Sequence, residues 1–359
     1  MKILFIAPLP PPTTGHSICS EKLYNHLVLE NDVKLINLSK TNFKNGKFEF
    51  SRFVQVIKIF FHISKYKSKV DLIYFTISQS ILGNIKDLLV YTILHNKLNK
   101  TFIHLHGGAI KNNIFDKHKI LLILNKYFIQ KLKGIIVLGE SHKKIFQSIV
   151  NENKLIIVKN FYENCYLSSN ESIVNKFKQE NAKKIKVLFL SNMQLEKGYM
   201  HILEAIKLFD SNFLNFFEFH FAGKFDNKYE EEAFLSEIKG KNYIFFHGFV
   251  SGKDKINLLN TSHVLCLPTS FLEGQPVSII EAYASGLVVL APLTGGIIDI
   301  YSNSNGFPIQ TNSCSIYEIL KSIIQNKINL LQIAQHNHQL AINEYKIDKY
   351  LNLLTKTLT

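Results

Sequence analysis

The stretch Leu272–Leu290, LEGQPVSIIEAYASGLVVL, combines a Glu-Gly-Gln-Pro turn, an apolar helix and an apolar strand. Pro276 suits the first position of a helix, and Gly274 lets the backbone approach a ligand closely. The positive end of such a helix attracts an anion. Glu273 before the helix and Glu281 on it can each accept hydrogen bonds from vicinal hydroxyls. The stretch therefore predicts a site for a ligand that carries both phosphate and diol groups.

Outward from this stretch, apolar runs alternate with amphipathic ones along the chain. The predicted strands of the first half are KILFIAP, VKLINL, DLIYFTIS, TFIHLHGG, GIIVLGE and KLIIVKN, and those of the second half are IKVLFLSN, FEFHFAGK, YIFFHGF, HVLCLPTS and LVVLAP. Helical segments between them, such as CSEKLYNHLVLE and NIFDKHKILLILNKYFIQKL, indicate parallel sheets covered on both faces. We therefore expect an α/β fold with two Rossmann-like, doubly wound domains facing across a cleft.

The length of 359 residues and a 46% hydrophobic composition allow two domains, each with a sizeable core. We expect an N-terminal domain over 1–165 and a C-terminal domain over 166–340. The polar stretch 163–186 suits the connection between them. Three helical stretches follow Gly306, and the last one, within 341–359, is long enough to pack back on the first domain.

The positive charge is confined to the first half. Residues 1–165 contain 24 Lys and Arg against 10 Asp and Glu, which leaves +14, whereas residues 166–359 contain 18 of each. One-sided charge attracts an anionic partner, whether nucleic acid, acidic saccharide or an anionic membrane surface. A lysine-rich solvated surface, the result of compositional bias, is the plainer alternative. The helical stretch Ser51–Lys69 is expected to pack on its own sheet, with membrane contact as a second interpretation.

Four widely separated cysteines predict neither a disulfide framework nor a zinc site, which favours a reducing cytosol. The N-terminal run KILFIAPLPPP is too short and proline-rich for a signal peptide, so we interpret it as a first strand. No run of about 18 apolar residues is present that would span a bilayer. We expect a cytoplasmic protein, with peripheral attachment to the inner face of the cytoplasmic membrane left open.

Several motifs then occur in a recognisable order. The segment SHVLCLPTSFLEGQPVSIIEAYASGLVVLAPLTGGIIDI, residues 262–300, resembles the signature block of the family-four retaining glycosyltransferases (glycosyl transferases group 1), which have the GT-B fold. LFLSNMQLEKG, FHFAGK and IFFHGFV add three blocks in the same order. The N-terminal half is similar more weakly, through its strand, proline and glycine opening and through IHLHGG.

The resemblance implies roles for individual residues. Glu281 matches the glutamate that holds the ribose of the nucleotide, and Glu273 matches the one that faces the donor sugar. Lys197 matches the lysine that neutralises the diphosphate leaving group, where negative charge grows most in the transition state. The donor-binding backbone would come from four successive residues, Gly274, Gln275, Pro276 and Val277. His106, Lys197 and Glu273 form the candidate catalytic set.

Other positions depart from the family pattern or match it weakly. Asn192 stands where the family usually has a second cation, an arginine, and Lys224 is a candidate to compensate. His106 matches the histidine beside the donor sugar, and we prefer it to His104 because it lies at the carboxyl end of the strand. Gly15 is the single glycine in a turn that is glycine-rich in the family, so it is the weakest donor-binding candidate.

The function that the resemblance implies is retaining transfer of a sugar from a nucleotide-sugar, here a UDP-sugar, to a saccharide or lipid-linked saccharide acceptor. We expect the product to be a cell-surface polysaccharide: capsule, O-antigen or lipopolysaccharide. The sequence contains no Asp-x-Asp motif, so we expect neither a metal nor another cofactor.

Two alternatives stay open. One is a related GT-B enzyme, a nucleotide-sugar epimerase or a phosphorylase, although no cofactor lysine of a phosphorylase is recognisable. The other is a non-catalytic basic protein that binds membrane or nucleic acid. No nucleic-acid partner is expected, because the chain has no zinc pattern and a single arginine, Arg52.

Overall fold

The computed structural model describes residues 1–39, 50–178 and 184–358, and only the backbone of residues 50–53. The chain forms two compact units. The first contains Met1–Asn160, Glu273–Gln275 and Asp348–Thr359, and the second contains Phe161–Leu272 and Pro276–Ile347. The polar stretch 163–186 includes residues 179–183, which lie outside the described residues. Its described part contributes a helix and the start of a strand to the second unit.

The first unit is built on a parallel sheet of six strands in the order β2-β1-β3-β4-β5-β6. The strands are β1 (Lys2–Ala7), β2 (Asp32–Asn37), β3 (Leu72–Thr76), β4 (Thr101–His104), β5 (Gly134–Val137) and β6 (Leu155–Ile157). Every residue of β3, β4 and β5 is buried. Such runs are typical of parallel strands that are covered on both faces, which is why they are continuously apolar in the sequence.

In the described residues, the α-helices between these strands are α1 (Gly15–Leu27), α2 (Phe50–Tyr66), α3 (Ile81–Ile93), α4 (Lys119–Ile129) and α5 (Glu140–Phe146). Helix α1 begins at a capping box in which Thr14 accepts from the Ser17 amide and Ser17 accepts from the Thr14 amide. Crossovers between parallel strands are right-handed, so α3 and α4, which connect β3 to β4 and β4 to β5, lie on the same face of the sheet.

The second unit contains another parallel sheet of six strands, in the order β12-β11-β10-β7-β8-β9. These strands are β7 (Ile185–Leu190), β8 (Phe217–Ala222), β9 (Ile244–Phe246), β10 (Val264–Cys266), β11 (Val288–Ala291) and β12 (Gly306–Pro308). Each predicted strand of both halves overlaps an observed strand, and the α/β class is confirmed. Strand β12 was not predicted, because a three-residue edge strand that contains Gly and Pro has no apolar periodicity.

The helices of the second unit are α6 (Asn170–Phe177), α7 (Tyr199–Lys207), α8 (Ser211–Leu214), α9 (Lys228–Ile238), α10 (Gly252–Thr261), α11 (Val277–Ala284), α12 (Ser313–Gln325) and α13 (Leu330–Glu344). A last helix, α14 (Ile347–Leu358), groups with the first unit from Asp348 onward. There the Tyr350 hydroxyl lies 3.5 Å from the Cys19 carbonyl oxygen, and Leu354 is fully buried. None of the helices in the described parts of the chain combines the length and apolar character that a membrane crossing requires.

Candidate functional site

His106 lies in the first unit, two residues beyond the end of β4, in a stack of imidazole rings. The ring centroids of His106 and His16 are 4.3 Å apart, and those of His106 and His104 are 3.9 Å apart. His104 is anchored by a 2.7 Å hydrogen bond between its Nδ1 and the Tyr74 hydroxyl. Both ring nitrogens of His106 are buried and have no hydrogen-bond partner among the described residues. His106 therefore retains its capacity to bind a ligand hydroxyl.

Burial keeps these histidines neutral. It lowers the pKa of His104 and His106 well below the ordinary value, and the neighbouring imidazoles lower each further. Burial, together with the positive charge of Lys86, lowers the pKa of His16 to about 4. At neutral pH each ring is an uncharged imidazole, which can donate one hydrogen bond and accept another. Such rings suit sugar hydroxyls better than phosphates.

A pocket of about 430 Å³ opens beside this stack within the first unit. Its lining combines His106 and Gly107 with His16 and with Ser78, at the carboxyl end of β3, and its cation is Lys86 on α3. The candidate Gly15 is the exposed first residue of α1, between two residues that line the pocket.

The loop segment Glu273–Gln275 belongs to the first unit. An ideal Cβ on Gly274 would lie 2.0 Å from the His106 carbonyl oxygen, so only glycine fits there without a shift of the backbone. This close approach places two of the predicted donor-site residues, His106 and Gly274, in direct contact. Glu273 is buried, with 8% of its surface exposed.

Gln275 holds this segment in place through its side chain. Its Nε2 donates to the Leu138 carbonyl at 2.7 Å, and its Oε1 accepts from the Asn160 amide at 2.9 Å. The Asn160 side-chain amide in turn donates to the Gln275 carbonyl at 2.8 Å. The predicted donor-binding residue Gln275 thus has its side chain committed to the protein, and only its backbone amide is a candidate for ligand binding.

Glu281 lies in the second unit, on α11, and forms a buried ion pair. Its Oε1 is 2.7 Å from Nζ of Lys255, at the start of α10, and 4% of the Glu281 side chain is exposed. Burial raises the pKa of Glu281, while the Lys255 ammonium opposes this shift. The same ammonium lies 4.7 Å from the centroid of the Tyr166 ring. These contacts fix the orientation of the carboxylate.

The start of α11 differs from the sequence expectation by one residue. Pro276 is the N-cap, with extended φ −60° and ψ 118°, so Val277 is the first helical residue and not Pro276. The difference arises because proline fixes φ alone, and φ near −65° fits an extended residue as well as a helical one. No side chain caps this end, which leaves amides at the helix start for a ligand.

Lys197 also lies in the second unit, at the end of the short 3-10 turn Leu195–Lys197. Gly198 follows with φ +87°, and a Cβ there would lie 2.2 Å from the Pro268 carbonyl oxygen. The turn that presents Lys197 therefore requires glycine at the next position. Nζ of Lys197 lies 4.9 Å from the centroid of the Phe271 ring, in the loop that follows β10.

Asn192 and Lys224 occupy neighbouring loops of the second unit. Both residues are exposed. The Met193 amide donates to the Lys224 carbonyl at 2.9 Å, and this bond joins the loop after β7 to the loop after β8. The structure thus brings the predicted compensating lysine next to the position where the family has its arginine.

Sequence reasoning missed His16, Ser78, Lys86 and Lys255. Ser78 had a usable signal, because it is the last residue of the predicted strand DLIYFTIS, at the sheet edge where ligands bind in parallel folds. Lys86 and Lys255 had none, since each lies inside a helix and meets its partners only through the fold. Within the described ranges, no group of three or more His, Cys, Asp and Glu side chains is arranged to hold a metal ion.

Comparison with solved structures supports the fold. Anabaena HepE, solved with UDP, is similar over 100% of this chain and 99% of its own, at a TM-score of 0.76 and 15% identity. Thermosynechococcus elongatus sucrose-phosphate synthase matches 99% of this chain and 98% of its own, with a TM-score of 0.75 and 13% identity. WaaG, a glycosyltransferase involved in lipopolysaccharide biosynthesis, matches 99% of this chain and 98% of its own, with a TM-score of 0.70 and 12% identity. The predicted GT-B fold class is therefore confirmed.

The sequence itself matches one family model. No curated protein matches the chain. The model that does match is that of the Glycosyl transferases group 1, over residues 171–346. This region includes Lys197, Glu273 and Glu281, together with the ion-pair partner Lys255. Residues 171–346 thus match the Glycosyl transferases group 1 domain, and this match supports the glycosyltransferase class that the sequence predicts.

Proposed function

We propose that this protein is a retaining hexosyltransferase of glycosyltransferase family four. It would transfer a sugar from a UDP-sugar to a saccharide acceptor in the synthesis of a cell-surface polysaccharide. The Glycosyl transferases group 1 domain supports the reaction class. Structures of HepE with UDP and with UDP-glucose support the donor, and the role of WaaG in lipopolysaccharide biosynthesis supports the pathway.

The buried pair of Glu281 and Lys255 carries this proposal. A carboxylate with 4% exposure is costly to bury, and a single lysine contact at 2.7 Å occupies one of its two oxygens. We assign the other oxygen to a ribose hydroxyl of the nucleotide. Because Lys255 holds the carboxylate in one orientation, the ribose would find a preorganised acceptor at the uncapped start of α11.

We assign the remaining site residues by their charge: the lysines to the diphosphate, and the neutral and acidic groups to hydroxyls of the donor. Lys197 would neutralise the diphosphate as the bond from the anomeric carbon to the phosphate oxygen breaks, with Lys224 as the second cation. The backbone amides of residues 274–277 would bind sugar and phosphate oxygens. Neutral His106 and the carboxylate of Glu273 would hold hydroxyls of the donor sugar.

Retention follows from attack on the face that the leaving group vacates. The acceptor hydroxyl oxygen forms the new bond to the anomeric carbon, and its proton passes to the departing diphosphate oxygen. No protein nucleophile is needed, and we propose that the lysines make a metal ion unnecessary. The saccharide or lipid-linked saccharide acceptor would enter the first unit, whose pocket carries Ser78, Lys86 and His106. The positive excess of the first half supports a cytoplasmic enzyme with peripheral membrane attachment.

A donor screen tests the proposal. The full chain is incubated with UDP-, GDP- and ADP-sugars, and thermal stabilisation and slow donor hydrolysis are measured. We expect a UDP-sugar to be positive and Glu281→Ala to abolish both signals. Glu232→Ala, which removes an exposed glutamate on α9, is the matched control and should behave like wild type. If Glu281→Ala binds and hydrolyses the donor normally, the site assignment is wrong, and isomerisation of the donor without an acceptor would identify an epimerase instead.

A further inference from the structure

Helices α3 and α4 of the first unit expose an unusual amount of apolar side chain to solvent. The exposed fraction is 76% for Leu82, 74% for Ile120 and 66% for Ile123. Six exposed apolar residues recur at helical spacing on these two helices: Leu82, Ile85 and Leu89 on α3, and Ile120, Ile123 and Tyr127 on α4. We call these six residues the α3/α4 apolar surface. Exposed apolar residues that recur along neighbouring helices are a candidate interaction site.

The two helices form a single rigid support for this surface. The side-chain amides of Asn84 on α3 and Asn125 on α4 are buried and donate to each other's oxygen, at 3.1 and 2.8 Å. Below them, the ring centroids of Tyr91 and Phe128 are 5.8 Å apart. These inner residues join the two helices, while Leu82, Ile120 and Ile123 leave most of their surface in solvent.

The charges beside the α3/α4 apolar surface are positive. Lys119 and Lys126 are exposed on α4. The only carboxylate in either helix is Asp87, which is fully buried, with Oδ2 accepting from the Ser78 amide at 2.6 Å and Oδ1 lying 3.1 Å from Nζ of Lys86. The exposed parts of the two helices therefore offer apolar side chains from both and lysine ammonium groups from α4, without a carboxylate.

Helix α2 also exposes an apolar side chain together with lysines. It packs beside α3 and contains no acidic residue. Phe61 is 64% exposed, and Lys58 and Lys65 are exposed on the same helix. Exposed apolar side chains thus recur on three neighbouring helices of the first unit, and exposed lysines accompany them on α2 and α4.

We infer that the α3/α4 apolar surface docks on an anionic phospholipid bilayer. Apolar side chains that protrude from a rigid helix pair enter the boundary between headgroups and acyl chains, and flanking lysines bind lipid phosphates. A second copy of this chain is a poorer occupant, because a two-fold contact through this surface would bring the lysines of both copies together. The inference deepens the proposed peripheral attachment and rests on it, whereas it does not depend on the assignment of the donor site.

Vesicle pelleting of the full chain tests the inference. Phosphatidylcholine vesicles with and without phosphatidylglycerol are compared, using wild type and the double variant Leu82→Ser/Ile123→Ser. We expect wild type to pellet with the anionic vesicles and the variant to bind at least about tenfold more weakly, since two inserted side chains are lost. The matched control is Tyr229→Ser/Leu208→Ser, which removes two exposed apolar residues of the second unit and should pellet like wild type.

A second variant tests the electrostatic contribution of the lysines to vesicle binding. Lys119→Gln/Lys126→Gln should weaken binding to anionic vesicles and make the remaining binding less sensitive to salt. Wild-type binding that is equal on both kinds of vesicle would overturn the inference. So would a Leu82→Ser/Ile123→Ser variant that melts like wild type and still pellets fully, or a wild-type dimer in sedimentation that this variant converts to a monomer.

The same proteins separate this inference from the proposed function. Leu82→Ser/Ile123→Ser should hydrolyse the UDP-sugar at the wild-type rate, because neither residue lies at the donor site. Glu281→Ala should lose donor hydrolysis but still pellet with anionic vesicles. If no protein hydrolyses any donor while vesicle binding follows the α3/α4 apolar surface, the transferase proposal fails and the docking surface stands.

Discussion

The two units surround their candidate site residues with different chemistry. In the first, the stacked rings of His16, His104 and His106 are kept neutral by burial. In the second, Glu281 and Lys255 are buried as opposite charges 2.7 Å apart. Neutral rings suit uncharged hydroxyls, and charged groups suit a nucleotide diphosphate and its ribose. Under the proposed function, the neutral rings of the first unit would meet sugar hydroxyls and the Glu281 carboxylate would meet the ribose, although both units have the same six-stranded plan.

The largest expected effect comes from breaking the charged pair. Lys255→Met leaves Glu281 buried without its partner, which should lower the free energy of unfolding by about 3–5 kcal/mol. The double variant Lys255→Met/Glu281→Gln removes both charges and should recover most of this loss without recovering UDP binding. Thermal unfolding and UDP titration measure the two effects. A single variant as stable as wild type would show that the pair does not hold the carboxylate in place.

The sequence singled out most of the charged candidate residues, but it did not single out Lys255, the ion-pair partner of Glu281. Glu273, Glu281 and Lys197 lie in motifs that are continuous in the sequence, so the family resemblance could single them out, and their roles stay predictions. Lys255 is 26 positions from Glu281, and only the packing of α10 against the rest of the second unit brings them together. Likewise, the eleven predicted strands have clear apolar runs, whereas β12 depends on its neighbour β11 for its existence.

The next largest effect is expected at the contact between Gly274 and the backbone carbonyl of His106. In Gly274→Ala the new Cβ would meet the His106 carbonyl oxygen, at 2.0 Å before any shift. We expect a loss of about 1–3 kcal/mol in stability and, because the loop must move, a fall in donor hydrolysis on the order of 100-fold. Gly240→Ala is the control, since a Cβ there meets no atom within 4 Å. Because φ of Gly240 is +79°, this substitution should lower stability but leave donor hydrolysis unchanged.

The pH dependence of stability should reveal the neutral rings of the first unit. The pKa of His16 is lowered from 6.5 to about 4, so the unfolded chain binds more protons than the folded chain between these values. The stabilisation is complete above pH 6.5 and is lost as the pH falls through this window, with a slope of up to roughly 1.4 kcal/mol per pH unit for one proton. His16→Asn should flatten the slope in thermal unfolding. An unchanged slope would mean that His16 is protonated in the folded protein.

The smallest expected effect is that of chelation. If Lys197 and Lys224 neutralise the leaving group, EDTA should leave donor hydrolysis unchanged, and added Mg²⁺ should not raise it. Lys197→Met, in contrast, should reduce the rate by about 100-fold, because one preorganised charge is removed from the transition state. A rate that collapses in EDTA and returns with Mg²⁺ would assign the neutralising charge to a metal ion and not to these lysines.

The exposed apolar residues of the first unit could not be predicted from the sequence. The charge count pointed to an anionic partner, and Ser51–Lys69 was the helix considered for membrane contact. The exposed apolar residues of α3 and α4 have the same spacing as core residues, so periodicity alone assigns them to the interior. Only their accessibility in the fold distinguishes a buried face from an exposed one.

Helix α14 has a consequence for how the protein is made. Apart from Glu273–Gln275, the first unit contains residues up to Asn160 and then residues from Asp348 onward, so about 190 residues must be translated before its last helix is complete. At about 5–20 residues per second, a ribosome needs roughly 10–40 s for that interval. During this time the surface that later receives Tyr350 and Leu354 is uncovered on the nascent chain. The second unit, which closes at Ile347, has all of its own residues by then and can fold before the first is finished.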